Sequence, residues 1–141
     1  MKLYTIGFAG KSAQEFFTIL KRLDVKKVID VRLYPSTKDA GFARSADLAF
    51  FLKVLCHIDY EHRKDFAPTA TLLRDYKDGR INWDDYVMQY DSICHARRFT
   101  LTPDMDKGCF LCAEPTPEHC HRRLLTEYLA KQGNNIEIVH L

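Results

Sequence analysis

The chain has 141 residues, of which 46% are hydrophobic and 28% are charged, and these proportions are typical of one soluble globular domain. No apolar run approaches the roughly 20 residues of a membrane helix and no signal peptide opens the chain, so we expect a cytoplasmic protein without a membrane partner. The net charge is only +2, but residues 1–70 carry twelve Lys or Arg against eight Asp or Glu, a weak indication of an anionic partner.

The first thirty residues have the pattern of a strand, a helix and a second strand. Residues 2–8 predict a strand that ends near a glycine, and 27–31 form a short apolar strand of the kind found buried in parallel sheets. Between them, Ser12 is the expected N-cap of a helix that presents its apolar residues at helical spacing: Phe16, Phe17, Leu20 and Leu23. This is a βαβ unit.

The middle of the chain predicts three helices and an edge strand. Residues 32–43 have turn chemistry, and Ser45 is the expected cap of a helix over 46–56. Residues 58–62 alternate like an edge strand. A short helix is expected from Thr71, and a longer one follows Asn82, with its apolar residues repeating at helical spacing.

The last third predicts a strand, a helix and a final strand. The apolar run 110–113 reads as a buried strand, and 136–141 as the last one. Thr116 is the expected N-cap of a helix that has Pro117 at its first position and runs to about Lys131. The element order predicts a single Rossmann-like three-layer α/β domain over residues 1–141, with a mostly parallel sheet of about five strands flanked by helices.

Polar and reactive side chains follow the predicted strands where the strands end. Because ligands of open parallel sheets bind beyond the carboxyl ends of the strands, one crevice is expected to collect these residues. Each also has an ordinary structural interpretation, such as a buried thiol, a core histidine or an ion pair, but their convergence favours a site. The set is Asp30, Arg32, Cys112, Glu114, Cys120, His121 and Arg122.

Three motifs suggest specific chemistry. The segment Gly7–Ser12 resembles a nucleotide P-loop but is two residues too short to wrap a phosphate. A closed zinc site of Cys109, Cys112, Cys120 and His121 is disfavoured, because strand geometry turns the first two apart and helix geometry the last two. A metal site of Cys112 and His121 with a distant ligand such as His62 stays open, as does thiol chemistry at Cys112 and Cys120.

These motifs resemble those of the family called domain of unknown function 488. The resemblance rests on Asp30-Val-Arg32 followed by Pro35, on a Trp-x-x-Tyr-x-x-x-Tyr motif over 83–90, and on Leu111-Cys-Ala-Glu114 with Cys120-His-Arg122. It implies a compact α/β protein with those seven polar positions as its signature, and no established activity. The chain departs from the family pattern at Phe8, where His or Tyr is usual, and in the arginine-poor loop 34–42.

The sequence favours an enzyme that acts on an anionic, phosphate-bearing substrate such as a nucleotide or nucleic acid. Arg32 and Arg122 would bind the anion. Asp30 or Glu114 would act as acid or base with His121, and Cys112 or Cys120 would be the nucleophile. The alternatives are a non-catalytic nucleic-acid or anion-binding module, a Cys/His metal-binding protein, and a buried polar network that only stabilises the fold. No cofactor and no oligomeric state follow from the sequence.

Overall fold

Five strands and five helices make up the computed structural model, which describes residues 1–141. All five predicted strands are present, with ends within two residues of those expected, and all five predicted helices are present. The strands are β1 (Lys2–Gly7), β2 (Lys27–Asp30), β3 (Asp59–His62), β4 (Gly108–Cys112) and β5 (Glu137–His140). The helices are α1 (Ala13–Arg22), α2 (Ser45–Phe51), α3 (Ala70–Lys77), α4 (Trp83–Ala96) and α5 (His121–Ala130).

The strands form one parallel sheet in the order β3-β2-β4-β1-β5. One face packs against α1 and α2 through an aromatic and aliphatic cluster. The other face packs against α3, α4 and α5. The predicted three-layer α/β fold is therefore confirmed, and Cys109 and Cys112 lie in the clusters on opposite faces, as strand alternation requires.

The middle of the sheet is the place where the chain changes direction. From β1 the chain continues to β2 on one side, whereas from β4 it continues to β5 on the other side, and β1 and β4 are neighbours. Their last residues, Gly7 and Cys112, are paired in register. Such a switch point leaves a crevice at the carboxyl ends of the strands, where open parallel sheets bind ligands.

Local capping signals fixed most helix starts. The Ser12 hydroxyl accepts from the Glu15 amide 3.1 Å away, and Asn82 forms a capping box with Asp85. The predicted cap Ser45 is instead the first residue of α2 and its hydroxyl contacts Ser36. The helical path continues from α2 through a wider, π-helical turn over Leu52–Cys56.

The predicted start of the last helix is wrong. Helix α5 begins at His121, and residues 113–120 form an irregular connection. The carbonyl groups of Pro117 and Glu118, which a helix would use for its first hydrogen bonds, accept instead from the Arg123 side chain at 3.2 and 3.0 Å. This connection carries Cys120 back to the end of β4.

No helix of the protein combines the length and the apolar character that crossing a membrane requires. All five cysteines are free thiols.

Candidate active site

A cavity of about 230 Å³ opens at the carboxyl ends of β2 and β4. Five of the seven predicted site residues line it: Arg32, Cys112, Glu114, Cys120 and His121. The other two, Asp30 and Arg122, are fully buried behind it. The residues selected from the sequence thus meet at one place, but they divide into a cavity wall and its support.

Cys112 and His121 form a contact pair in the cavity wall. The Cys112 Sγ lies 3.7 Å from Nδ1 of His121, and Nε2 of His121 lies 2.7 Å from the Val31 carbonyl oxygen. Because a carbonyl oxygen only accepts, Nε2 must carry the proton in that hydrogen bond. The lone pair of neutral His121 therefore faces the thiol, and the backbone of Val31 fixes the orientation of the ring.

The two cavity thiols differ in acidity. A hydrogen bond from Cys120 is the main reason why the pKa of Cys112 lies below its ordinary value, and the Ala113 amide and the charge of Arg122 act in the same direction against burial. The pKa of Cys120 is raised well above its ordinary value, first by its contact with Cys112 and then by burial. Cys112 is thus the thiol that ionises more readily, and Cys120 stays protonated beside it.

Asp30 holds Arg32 at the cavity wall. The Asp30 carboxylate, 0% exposed, accepts from Nε and Nη2 of Arg32 at 2.9 and 2.7 Å and from the Tyr60 hydroxyl at 2.6 Å. Arg32 Nη2 also donates to the Ala43 carbonyl at 2.7 Å. Its Nη1 is buried without any protein partner. Asp30 therefore positions the guanidinium of a cavity-lining residue, and one donor nitrogen of that guanidinium has no partner.

Arg122 is a buried cation without an acidic partner. Its Nη1 donates to the Glu114 carbonyl at 2.7 Å, its Nε donates to the Thr5 hydroxyl at 3.3 Å, and Nη2 has no partner. A side chain at Gly7 would overlap that same carbonyl of Glu114. The glycine therefore allows the connection after β4 to pack closely against the end of β1. Burial and the charge of Arg122 lower the pKa of His140, which contacts Thr5 at 2.6 Å.

Five aromatic or imidazole side chains complete the cavity wall: Phe8, Tyr34, Tyr76, Tyr86 and His119. None was selected from the sequence as a site residue. The sequence gives Tyr86 only a place in the apolar face of α4 and in the motif over 83–90, and the others lie on separate elements or loops, where no local spacing relates them. Only the assembled fold brings these rings together.

Cys112, Cys120 and His121 also form a cluster that can hold a metal ion. Their ligand atoms all lie within 4.8 Å of one another. His62, the distant ligand suggested by the sequence, is not a member of this cluster. Its Nε2 instead donates to the Arg32 carbonyl at 2.8 Å. Cys120 supplies the third ligand atom instead, since it precedes α5 and is not on the helix as predicted.

The fold and the site define an α/β protein with a Cys–His pair and a buried Asp–Arg pair at the switch point of a parallel sheet. The family model described as "Domain of unknown function DUF488" matches residues 12–129. The chain belongs to this family, as its motifs indicated. No curated protein and no solved structure matches the chain.

Proposed function

We propose that the protein is a thiol-dependent enzyme that acts on a small anionic, phosphate-bearing substrate. The observation that carries this proposal is the contact between Cys112 Sγ and Nδ1 of His121 in the wall of a cavity that Arg32 also lines. A nucleophile, a base in contact with it and a third group that orients the base are the elements of nucleophilic catalysis. Here the third group is the Val31 carbonyl.

The chemistry follows from these positions. Nδ1 of His121 takes the proton of Cys112, and the thiolate forms a bond to an electrophilic atom of the substrate. The bond between that atom and its leaving group breaks, and the leaving group takes the proton from His121. Water, deprotonated by the same nitrogen, then attacks the bound atom, the bond between that atom and Sγ of Cys112 breaks, and the thiolate takes the proton back from His121 as the product leaves. Arg32, with its free Nη1, binds the anionic group.

Buried Arg122 fits a supporting role better than the direct anion contact expected from the sequence. It does not line the cavity, and its hydrogen bonds go to Glu114 and Thr5. Asp30 likewise acts through Arg32. The carboxylate of Glu114 is exposed at the cavity rim and is the acid or base that remains available to substrate.

Competitive alkylation tests this proposal. Freshly reduced protein is treated with iodoacetamide, with and without inorganic phosphate, and each cysteine is quantified by peptide mass spectrometry. Cys112 should react fastest, phosphate should slow its reaction, and Arg32→Lys should weaken that protection. Buried Cys94, which lies outside the cavity, is the internal control. Equal rates at Cys112 and Cys94, or protection that is independent of Arg32, would contradict the proposal.

A second candidate function is metal binding by Cys112, Cys120 and His121. Zn–S and Zn–N bonds of about 2.3 and 2.0–2.1 Å place ligand atoms within about 4 Å of one another, and the Sγ–Nδ1 distance is 3.7 Å. The Val31 carbonyl that accepts from His121 is also the outer partner typical of a metal-bound imidazole. Native mass spectrometry with added zinc distinguishes the candidates. Cys120→Ser should abolish zinc retention but leave Cys112 open to alkylation if the thiol is the nucleophile.

A further inference from the structure

We infer that the substrate is a mononucleotide, whose base stacks on the aromatic wall of the cavity while its phosphate binds Arg32. This inference rests on the proposed anion-binding role of Arg32 and adds the chemical class of the rest of the ligand. The inference starts from the presence of both a cation and several rings in one cavity, since a site that binds only phosphate does not need the rings. One cavity has a guanidinium donor and six aromatic or imidazole side chains in its wall.

The cation in this wall is built to receive an anion. Arg32 is 6% exposed and its Nη1 has no partner in the protein, although every other polar atom of its guanidinium is bonded. Its guanidinium lies 5.2 Å from the centre of the Phe8 ring, which restricts its orientation. A phosphate oxygen would satisfy the unused donor, because Arg is well suited to planar recognition of phosphate.

Three of the lining rings, Tyr76, Tyr86 and His119, are joined through Trp83, which does not itself line the cavity. Tyr86 stacks against Trp83 with ring centres 5.0 Å apart and planes at 13°, and Tyr76 packs on both of them. His119 lies 4.9 Å from Trp83. Tyr86 is only 3% exposed and stacks against Trp83 and Tyr90, so it supports the wall. The exposed rings of Tyr34 and His119 are the surfaces on which a nucleobase can stack.

The size and charge of the site favour a mononucleotide over a nucleic-acid strand. The cavity of about 230 Å³ is smaller than the roughly 300–1,000 Å³ that is usual for drug-sized ligands, so a single nucleotide would be partly exposed and a longer strand has no room in it. The chain carries a net charge of only +2, and the tracking of a phosphate backbone requires several cations along a groove. Arg32 and Lys77 are the only arginine and lysine among the cavity-lining residues.

The fluorescence of Trp83, the only tryptophan, provides the test. The four nucleoside 5′-monophosphates, ribose 5-phosphate and a single-stranded oligonucleotide are titrated against the intact protein. At least one monophosphate should bind about tenfold or more tightly than ribose 5-phosphate, as expected for one stacked base. Tyr34→Ala should reduce that preference. Phe50→Ala is the matched control. Phe50 is as exposed as Tyr34, at 60% against 57%, but it does not line the cavity.

Each outcome decides between the two proposals. Equal affinity for ribose 5-phosphate and for every monophosphate would overturn the mononucleotide inference and leave the anion-binding enzyme standing. Tighter binding of the oligonucleotide than of every monophosphate would overturn it in favour of a polymer. If no phosphate compound changes the fluorescence or slows the alkylation of Cys112, both proposals are overturned.

Discussion

Two ion pairs of this protein have the same covalent spacing and geometry but different surroundings. In each, an Arg and an Asp two residues apart form a bidentate pair. Arg32 donates to Asp30 at 2.9 and 2.7 Å, and Arg63 donates to Asp65 at 3.0 and 2.8 Å. The Arg32 and Asp30 side chains are 7% and 0% exposed, whereas those of Arg63 and Asp65 are 30% and 51% exposed. The two pairs therefore differ mainly in burial and in the hydrogen bond that the Tyr60 hydroxyl donates to Asp30.

We predict that Asp30→Asn destabilises the protein far more than Asp65→Asn. The first substitution leaves the Arg32 charge buried without its counter-ion, and breaking a buried pair in this way costs about 3–5 kcal/mol. The second removes an exposed pair, which is worth about 0–1 kcal/mol. Because the whole domain is stabilised by about 5–15 kcal/mol, the first loss is a large share of the total.

Urea unfolding of both variants, followed by circular dichroism, measures this difference. The free energy of unfolding of Asp30→Asn should fall by at least about 2 kcal/mol more than that of Asp65→Asn, with similar dependence on urea. Similar losses in the two variants would refute the view that Asp30 serves mainly to neutralise and position Arg32. Tyr60→Phe, which keeps both charges but removes one hydrogen bond to Asp30, should give an intermediate loss of about 1.5–3 kcal/mol.

Further predictions concern the two cavity thiols and the contact between Gly7 and the connection after β4. Cys112 should become reactive towards iodoacetamide at lower pH than Cys94, because alkylation needs the thiolate, the pKa of Cys112 is lowered and burial raises that of Cys94 to about 12. A common pH midpoint would contradict this. Cys120→Ala should move the rise of Cys112 alkylation to higher pH by removing the hydrogen bond, and an unchanged or lower midpoint would contradict that. Gly7→Ala should cost about 1–3 kcal/mol or more, because its methyl group overlaps the Glu114 carbonyl, and an unchanged thermal midpoint would disprove this close approach.

The sequence was most informative where local patterns and sheet topology act together. Asp30 and Cys112 end strands that short apolar runs define, and parallel strands bring their carboxyl ends to one edge. The convergence of these residues therefore needed no knowledge of the strand order. The sequence did not predict how deeply each residue is buried. Neither spacing nor composition showed that Asp30 and Arg122 lie behind the cavity wall, because burial depends on how the surrounding loops pack.

The start of α5 shows how tertiary contacts override a local signal. Thr116 and Pro117 have the pattern of a helix start, but the Arg123 side chain occupies the carbonyl groups of Pro117 and Glu118. The error mattered for the site. With Cys120 placed on a helix, its thiol diverges from His121, whereas the irregular connection 113–120 brings both against Cys112.

The seven predicted site residues make sense as one electrostatic unit rather than as seven separate catalytic groups. Asp30 compensates Arg32, but Arg122 has no carboxylate partner, and a buried cation without compensation is costly. The group nearby that can supply negative charge is the thiol of Cys112, whose ionisation the charge of Arg122 favours. The buried charge of Arg122 therefore adds to the hydrogen bond from Cys120 in favouring the ionised form of Cys112.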